Sequence, residues 1–185
     1  MSIVRTETEW IIWREARSRP EFAATRFWDH KLQKYFPASD GWVVSSQQPP
    51  TGEKWDRRRV ENVIEILDRD HGSLQRLLIV EAKRQNVSKD MVTEVEYQAY
   101  EACQKYLNFS QRDRMYAMTL VGTAAKLWWA DRHRDYLDPF VPAAIEDKQL
   151  SDLTTYIEAN SAEGKELEEG LDKMKQNRLF PQKRD

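Results

Sequence analysis

The chain is poor in the residues that build redox, metal-thiolate and phosphate-loop chemistry. It has one cysteine, Cys103, in 185 residues. No disulfide can close within the chain, so a reducing, intracellular compartment is expected, cytoplasm or nucleus, with Cys103 packed in the core. The three histidines, His30, His71 and His133, lack metal-ligand spacing. The six glycines form neither a phosphate-cradling loop nor a nucleophile elbow. No stretch approaches the ~20 apolar residues that a membrane helix needs. The opening Met1-Ser2-Ile3-Val4-Arg5-Thr6-Glu7 meets charge too early for a signal core. Internal repeats and low-complexity linkers are missing as well. With a net charge of −2 there is no global basic excess, so any contact with a phosphate backbone has to come from a local patch.

What remains is the composition of an ordinary globular chain. Apolar residues make up 40 % and include seven tryptophans, enough for a real core, while 32 % charged residues give a solvated surface. The length fits one domain, residues 1–185. Basic patches stand at Arg57-Arg58-Arg59, at Lys83-Arg84, and in the set Arg112, Arg114, Arg132 and Arg134. A run of three arginines is more often a solvated loop than a binding site.

Periodicity places the elements. Trp10, Ile11, Ile12 and Trp13 mark a short helix. After Pro20, the spacing of Phe22, Ala23, Phe27, Leu32, Tyr35 and Phe36 predicts a second one, ending before Pro37-Ala38-Ser39-Asp40-Gly41. Trp42-Val43-Val44 reads as a short strand, and Pro49-Pro50 lies in a polar loop that cannot continue its ladder. Val60 to Leu67 and Leu74 to Ala82 are rich in Val, Ile and Leu and flank the polar run Asp68 to Ser73, which predicts an antiparallel hairpin with His71 in its loop. Val92, Val95, Ala99, Ala102, Cys103 and Tyr106 recur every three or four residues, giving a helix with Ser88 as its N-cap. Met115 to Val121 and Ala124 to Ala130 are two further strands around Gly122. Trp128 and Trp129 then fall on opposite faces, as core residues rather than base-stacking platforms. The chain turns through Pro139 and Pro142, Leu150 to Met174 reads as a charged helix, and Arg178 to Asp185 as a frayed end.

One polar pair stands out against this apolar background. In a strand, alternate side chains share a face, so Glu81 and Lys83 point together while Ala82 points into the packing. A carboxylate and an ammonium at the end of the run Leu77-Leu78-Ile79-Val80 need a reason, of which a salt-bridged strand end is the blandest. The neighbouring strand begins Arg59-Val60-Glu61 and brings a second carboxylate near. Glu61, Glu81 and a backbone carbonyl, that of Ala82, form a ligand set for a hard cation such as Mg²⁺, with Mn²⁺ as a substitute. Such an ion activates water toward a phosphate, with Lys83 to orient that water and neutralise charge.

The order helix-strand-strand-strand-helix-strand, with Glu81-Ala82-Lys83 closing the third strand, resembles the PD-(D/E)XK superfamily of restriction-endonuclease-like nucleases. The resemblance covers residues 20–130 or so. The runs Leu77 to Arg84, Glu94-Val95-Glu96-Tyr97-Gln98, Tyr116 to Gly122 and Ala124 to Trp129 are similar to compact fungal members. It implies an α/β fold: a restriction-endonuclease-like core at about 20–130, a mixed sheet of four or five strands in the order α-β-β-β-α-β-β, and a C-terminal helical extension at about 140–176. It also implies Glu81 as a metal ligand, Lys83 as the catalytic lysine, Gln98 as a residue orienting ligands or phosphate, and Glu21 as an added acid. The partner is then nucleic acid, DNA before RNA, held by Arg57, Arg58, Arg59 and Arg84, with no membrane and room for a protein partner. The departure lies at the first acid, where the family has Pro-Asp and this chain has Val60-Glu61. Asp56, Glu65 and Asp68 stay open as alternative ligands, and so does a second reading, an inactive fold retained as a binding module.

Overall fold

The computed structural model describes residues 1–18, 21–51, 59–69, 72–143 and 150–177, and of Glu21 the backbone alone. Arg57, Arg58, Asp56, His71 and the terminal residues 178–185 therefore lie outside the described residues, as does the side chain of Glu21.

Two helices open the chain, α1 (Glu7–Ser18) and α2 (Glu21–Tyr35). Glu7 and Glu9 stand in the first turn of α1 and Arg17 in the last, where the helix dipole favours each sign. Three strands follow: β1 (Trp42–Gln48), β2 (Val60–Asp68) and β3 (Ser73–Lys83). The 22-residue α3 (Lys89–Ser110) is capped by Ser88, whose hydroxyl accepts the N–H of Met91. Next come β4 (Arg114–Val121), β5 (Ala124–Asp131), β6 (Asp138–Val141), the two-residue β7 (Ile157–Glu158) and α4 (Gly164–Gln176).

The strands make one mixed sheet in the order β1-β2-β3-β4-β5-β6, with β7 also paired to β5. Antiparallel ladders join β1 to β2, β2 to β3, β4 to β5, and β5 to both β6 and β7. The β3–β4 pair is parallel, which requires a crossover, and α3 supplies it. The expected order α-β-β-β-α-β-β is present within an α/β fold. The sheet has seven strands instead of four or five, because β6 and β7 are short additions at the β5 side. The helix expected from Leu150 is confined to Gly164–Gln176, and a 3-10 turn (Leu153–Thr155) and β7 occupy the stretch before it.

Each face of the sheet buries its own cluster. On one side Ile64, Leu78, Val80, Ala82, Met118 and Leu127 pack against Phe27, Trp28, Leu32 and, from α4, Leu167, Leu171 and Met174. On the other, Val63, Ile79, Ala117, Trp128 and Ala130 pack against Ala99, Ala102 and Cys103 of α3. Each fully buried large apolar side chain contributes about 1.5–3 kcal/mol. Trp128 is buried on the α3 side while Trp129 stacks against Tyr116 and Phe140 on the other, so both indoles serve packing.

Candidate active site

In open α/β sheets ligands bind outside the carboxyl ends of strands, where the connections diverge. Here the candidate place is the end of β3. The β2–β3 ladder runs only to Asn62↔Val80, yet β3 continues through Glu81, Ala82 and Lys83, paired with Thr119, Leu120 and Val121 of β4. The ends of β2 and β3 thus part and leave a notch.

Glu81 is 6 % exposed, and because Val80 and Ala82 belong to the α2-side cluster, it faces α3 together with Lys83. The Lys83 ammonium donates to Glu94 Oε1 at 2.9 Å, and Gln98 Nε2 donates to the same oxygen at 2.9 Å. Glu94 and Gln98 are one helical turn apart, so α3 presents both to the strand end. The structure therefore brings Lys83 and Gln98 together through Glu94, a residue to which the sequence pattern alone gives no role. The turn beyond is fastened from three directions. Gly122 N–H donates to the Lys83 carbonyl at 2.9 Å, Trp28 Nε1 donates to the Gly122 carbonyl at 3.0 Å, and the Gln85 side chain accepts from the Thr123 N–H at 3.3 Å.

Glu61 approaches from the other side. Val60 joins the α3-side cluster, whereas Glu61 lines an open hollow of about 380 Å³ with Phe22, Thr25, Arg26 and Asp29 of α2. Gln47 Nε2 donates to Glu61 at 3.2 Å. Asp29, in the same hollow, is raised above its ordinary range by burial, which outweighs the 2.7 Å bond donated by Asn62. Glu61 and Glu81 thus stand near the ends of neighbouring antiparallel strands, one residue beyond the Asn62↔Val80 pair.

The alternative acids serve elsewhere. Glu65 pairs with Arg76 at 3.0 Å, and Asp68 lies at the opposite end of β2, across from Ser73. Arg76 also donates to the carbonyls of Pro49 and Pro50, which ties down the chain after β1. Of the basic residues, Arg59 and Arg84 are exposed near the notch. Arg112 is buried and donates to the Arg76 carbonyl, Arg114 pairs with Asp131, and Arg132 pairs with Asp113, so these three are committed to structure.

A buried polar group adjoins Glu81 on the same face. Thr119, its register partner, shares a 2.8 Å bond with the Tyr156 hydroxyl and accepts the Trp128 indole N–H at 2.8 Å. Tyr156 also bonds Glu96 Oε1 at 3.0 Å, and Lys126, 1 % exposed, donates to Thr155 at 2.7 Å. Burial raises Glu96 and lowers Lys126, and each one's field partly opposes the other's shift. The sequence carries a trace of both. Lys126 is a lone charge in the apolar run from Ala124 to Trp129, and Glu96 falls on the buried stripe four residues after Val92.

Among the described residues no group of three or more His, Cys, Asp or Glu side chains is placed to hold a metal ion. Magnesium keeps several waters and binds through as few as one or two carboxylates, the number that Glu81 and Glu61 offer. No helix among the described residues is long and apolar enough to cross a membrane.

No family model matches the chain, and no curated protein matches it. Among solved structures it is similar to the type IIG restriction endonuclease BpuSI, with a TM-score of 0.43 and 16 % sequence identity over 89 % of this chain. The match takes in 16 % of the length of that enzyme.

Proposed function

We propose that this chain is a magnesium-dependent phosphodiesterase that hydrolyses DNA at the notch between β2 and β3. The observation that carries the reading is Glu81, buried two residues before Lys83 at the carboxyl end of β3, where the β2 ladder has already ended. A carboxylate this buried at a strand end is costly unless it is paired or put to use.

In this reading Glu81 and Glu61 hold the ion, with the Ala82 carbonyl as a third oxygen. Magnesium, when bound, polarises a phosphoryl oxygen and lowers the pKa of water. Lys83 neutralises charge developing on the phosphate, and Glu94 and Gln98 position its ammonium. Arg59 and Arg84 meet flanking phosphates together with Arg57 and Arg58 of the same basic run, and Glu21 adds an acid to the metal site on the resemblance alone. One domain over residues 1–185, working inside the cell, completes the proposal.

The test is incubation of purified protein with supercoiled plasmid, single-stranded DNA and RNA in Mg²⁺ or Mn²⁺, beside EDTA and the Lys83→Ala and Glu81→Gln variants. Metal-dependent cutting that falls at least about 100-fold in both folded variants is the expected result. The Lys83–Glu94 ion pair favours a second reading, a binding module whose lysine is neutralised in place. Absence of cutting by folded protein, together with no metal uptake in calorimetry, would overturn the nuclease reading and favour a retired active site.

A further inference from the structure

Gln47 is unlike its neighbours in β1 because its backbone is left-handed, with φ +53°, inside a ladder. Residues other than glycine are uncommon there, and Gln is not among the types, such as Asn and Asp, that adopt it most readily. The register runs Ser46↔Asn62 and then Gln48↔Val60, so Gln47 comes opposite Glu61 without joining the regular pairing. A local break of this kind aims a side chain away from the direction that a regular strand would give it. Here it meets a carboxylate, since Gln47 Nε2 donates to Glu61 Oε2 at 3.2 Å.

A strained backbone persists only where the structure on both sides fixes it. Upstream, Trp42 to Ser46 pair residue by residue with Ile66 to Asn62. Downstream come Pro49 and Pro50, whose rings fix φ, and Arg76 donates to both of their carbonyls. Arg76 is 7 % exposed and is itself held by Glu65 at 3.0 Å, so this anchor is built into the fold. The neighbouring amide does not share the task, because Gln48 Nε2 turns back to the Ser46 carbonyl at 3.0 Å. Gln47 is thus a fixed arm at the sheet edge that ends on Glu61. The bond limits the rotamers of a long acid that lines an open hollow, and because an amide is neutral it leaves the negative charge in place for a cation.

We propose that Gln47 is a positioning residue that holds Glu61 in the orientation in which it takes the metal ion. The inference rests on the nuclease reading of the notch. The test compares the full-length parent with Gln47→Gly, Gln47→Asn, Glu61→Gln and the double variant Gln47→Gly/Glu61→Gln. Mn²⁺ affinity is read by calorimetry, plasmid cutting over a range of Mg²⁺, and stability by thermal melts. Gly and Asn both tolerate the left-handed backbone, and neither reaches Glu61, Asn being one methylene short. Both single variants should melt at or above the parent temperature yet bind Mn²⁺ about tenfold more weakly, as when a residue behind a metal ligand is lost. Cutting should fall at low Mg²⁺ and recover at saturating Mg²⁺, the mark of weakened binding rather than impaired chemistry. In the Glu61→Gln background the glycine should change nothing further. Parent-like Mn²⁺ affinity in both Gln47 variants, a lowered melting temperature in both, or a further loss of similar size in the double variant overturns the positioning role and leaves the nuclease reading standing. A folded parent that neither takes up Mn²⁺ nor cuts DNA overturns both.

Discussion

Glu9 has its carboxylate inside the fold, 1 % exposed, where it accepts from the N–H groups of Arg5 and Thr6 and from the ammonium groups of Lys31 and Lys34. Burial pushes its pKa up, but Lys34, the Arg5 N–H and Lys31 together outweigh that and hold it at about 2. A carboxyl depressed on folding contributes stability above its ordinary value of 4.5 and loses it as pH falls toward 2. Glu9→Gln should therefore cost about 3 kcal/mol at neutral pH, since it leaves the buried Lys31 without its counter-charge while Lys34 turns to solvent. Urea melts at descending pH should show the gap to the parent closing over that interval. Glu94, half-exposed, is the contrasting case. Glu94→Gln should change stability by less than about 0.5 kcal/mol, yet slow the proposed metal-dependent cutting by releasing Lys83, a split that thermal melts and a plasmid assay read separately. Glu81 and Lys83 were legible in the sequence because a strand has period two and the run before them is apolar. The Glu96–Tyr156–Thr119 chain was not, because Tyr156 comes from 60 residues away and no local pattern announces it.

The elements whose hydrophobic period is long and uninterrupted were read almost to their ends: α2, α3 and the strands β2 to β5. Those held by tertiary pairing were not. Pro139 argues against a strand, but β6 lies at a sheet edge where a missing N–H is tolerated, and Pro139 pairs with Trp128. The two residues of β7 carry no period at all and exist through their pairing with β5. At the turn between β4 and β5, Gly122 has φ +59° and a Cβ there would lie 2.1 Å from Gln85 Oε1. Gly122→Ala should cost about 1–2 kcal/mol from backbone strain and the displaced Gln85, and it should also reduce the proposed cutting, because the same turn holds the Lys83 carbonyl. Gly170 lets α4 lie close on the sheet, since a Cβ there would come within 2.6 Å of Leu127 and 2.8 Å of Val141. Gly170→Leu should destabilise by about 2–3 kcal/mol in a urea melt, with the secondary structure unchanged.

At the scale of the molecule, the cluster on the α2 side runs from Ile3 to Met174 and draws α4 into the same core as α1 and α2. Ile3, fully buried, donates its N–H to the Ala159 carbonyl, and Glu168 of α4 is met by Arg5 and Tyr35. Ile3→Ala should cost about 2–4 kcal/mol. A chain ending at residue 143 should lose cooperative unfolding and dispersed amide spectra, because Leu167, Leu171 and Met174 leave the core together. The lone parallel ladder among the described strands has a consequence in time. β1 to β3 form a meander and β4 with β5 a hairpin, both from near neighbours, but β3 meets β4 only after the chain from 84 to 113 has closed behind them. Loop closure must precede that contact, so the seam between Glu81 and Thr119 should zip after the two hairpins have formed. During refolding, amides along it should gain protection from exchange later than those of the β2–β3 hairpin, which leaves the proposed catalytic edge incomplete until both halves of the sheet have met.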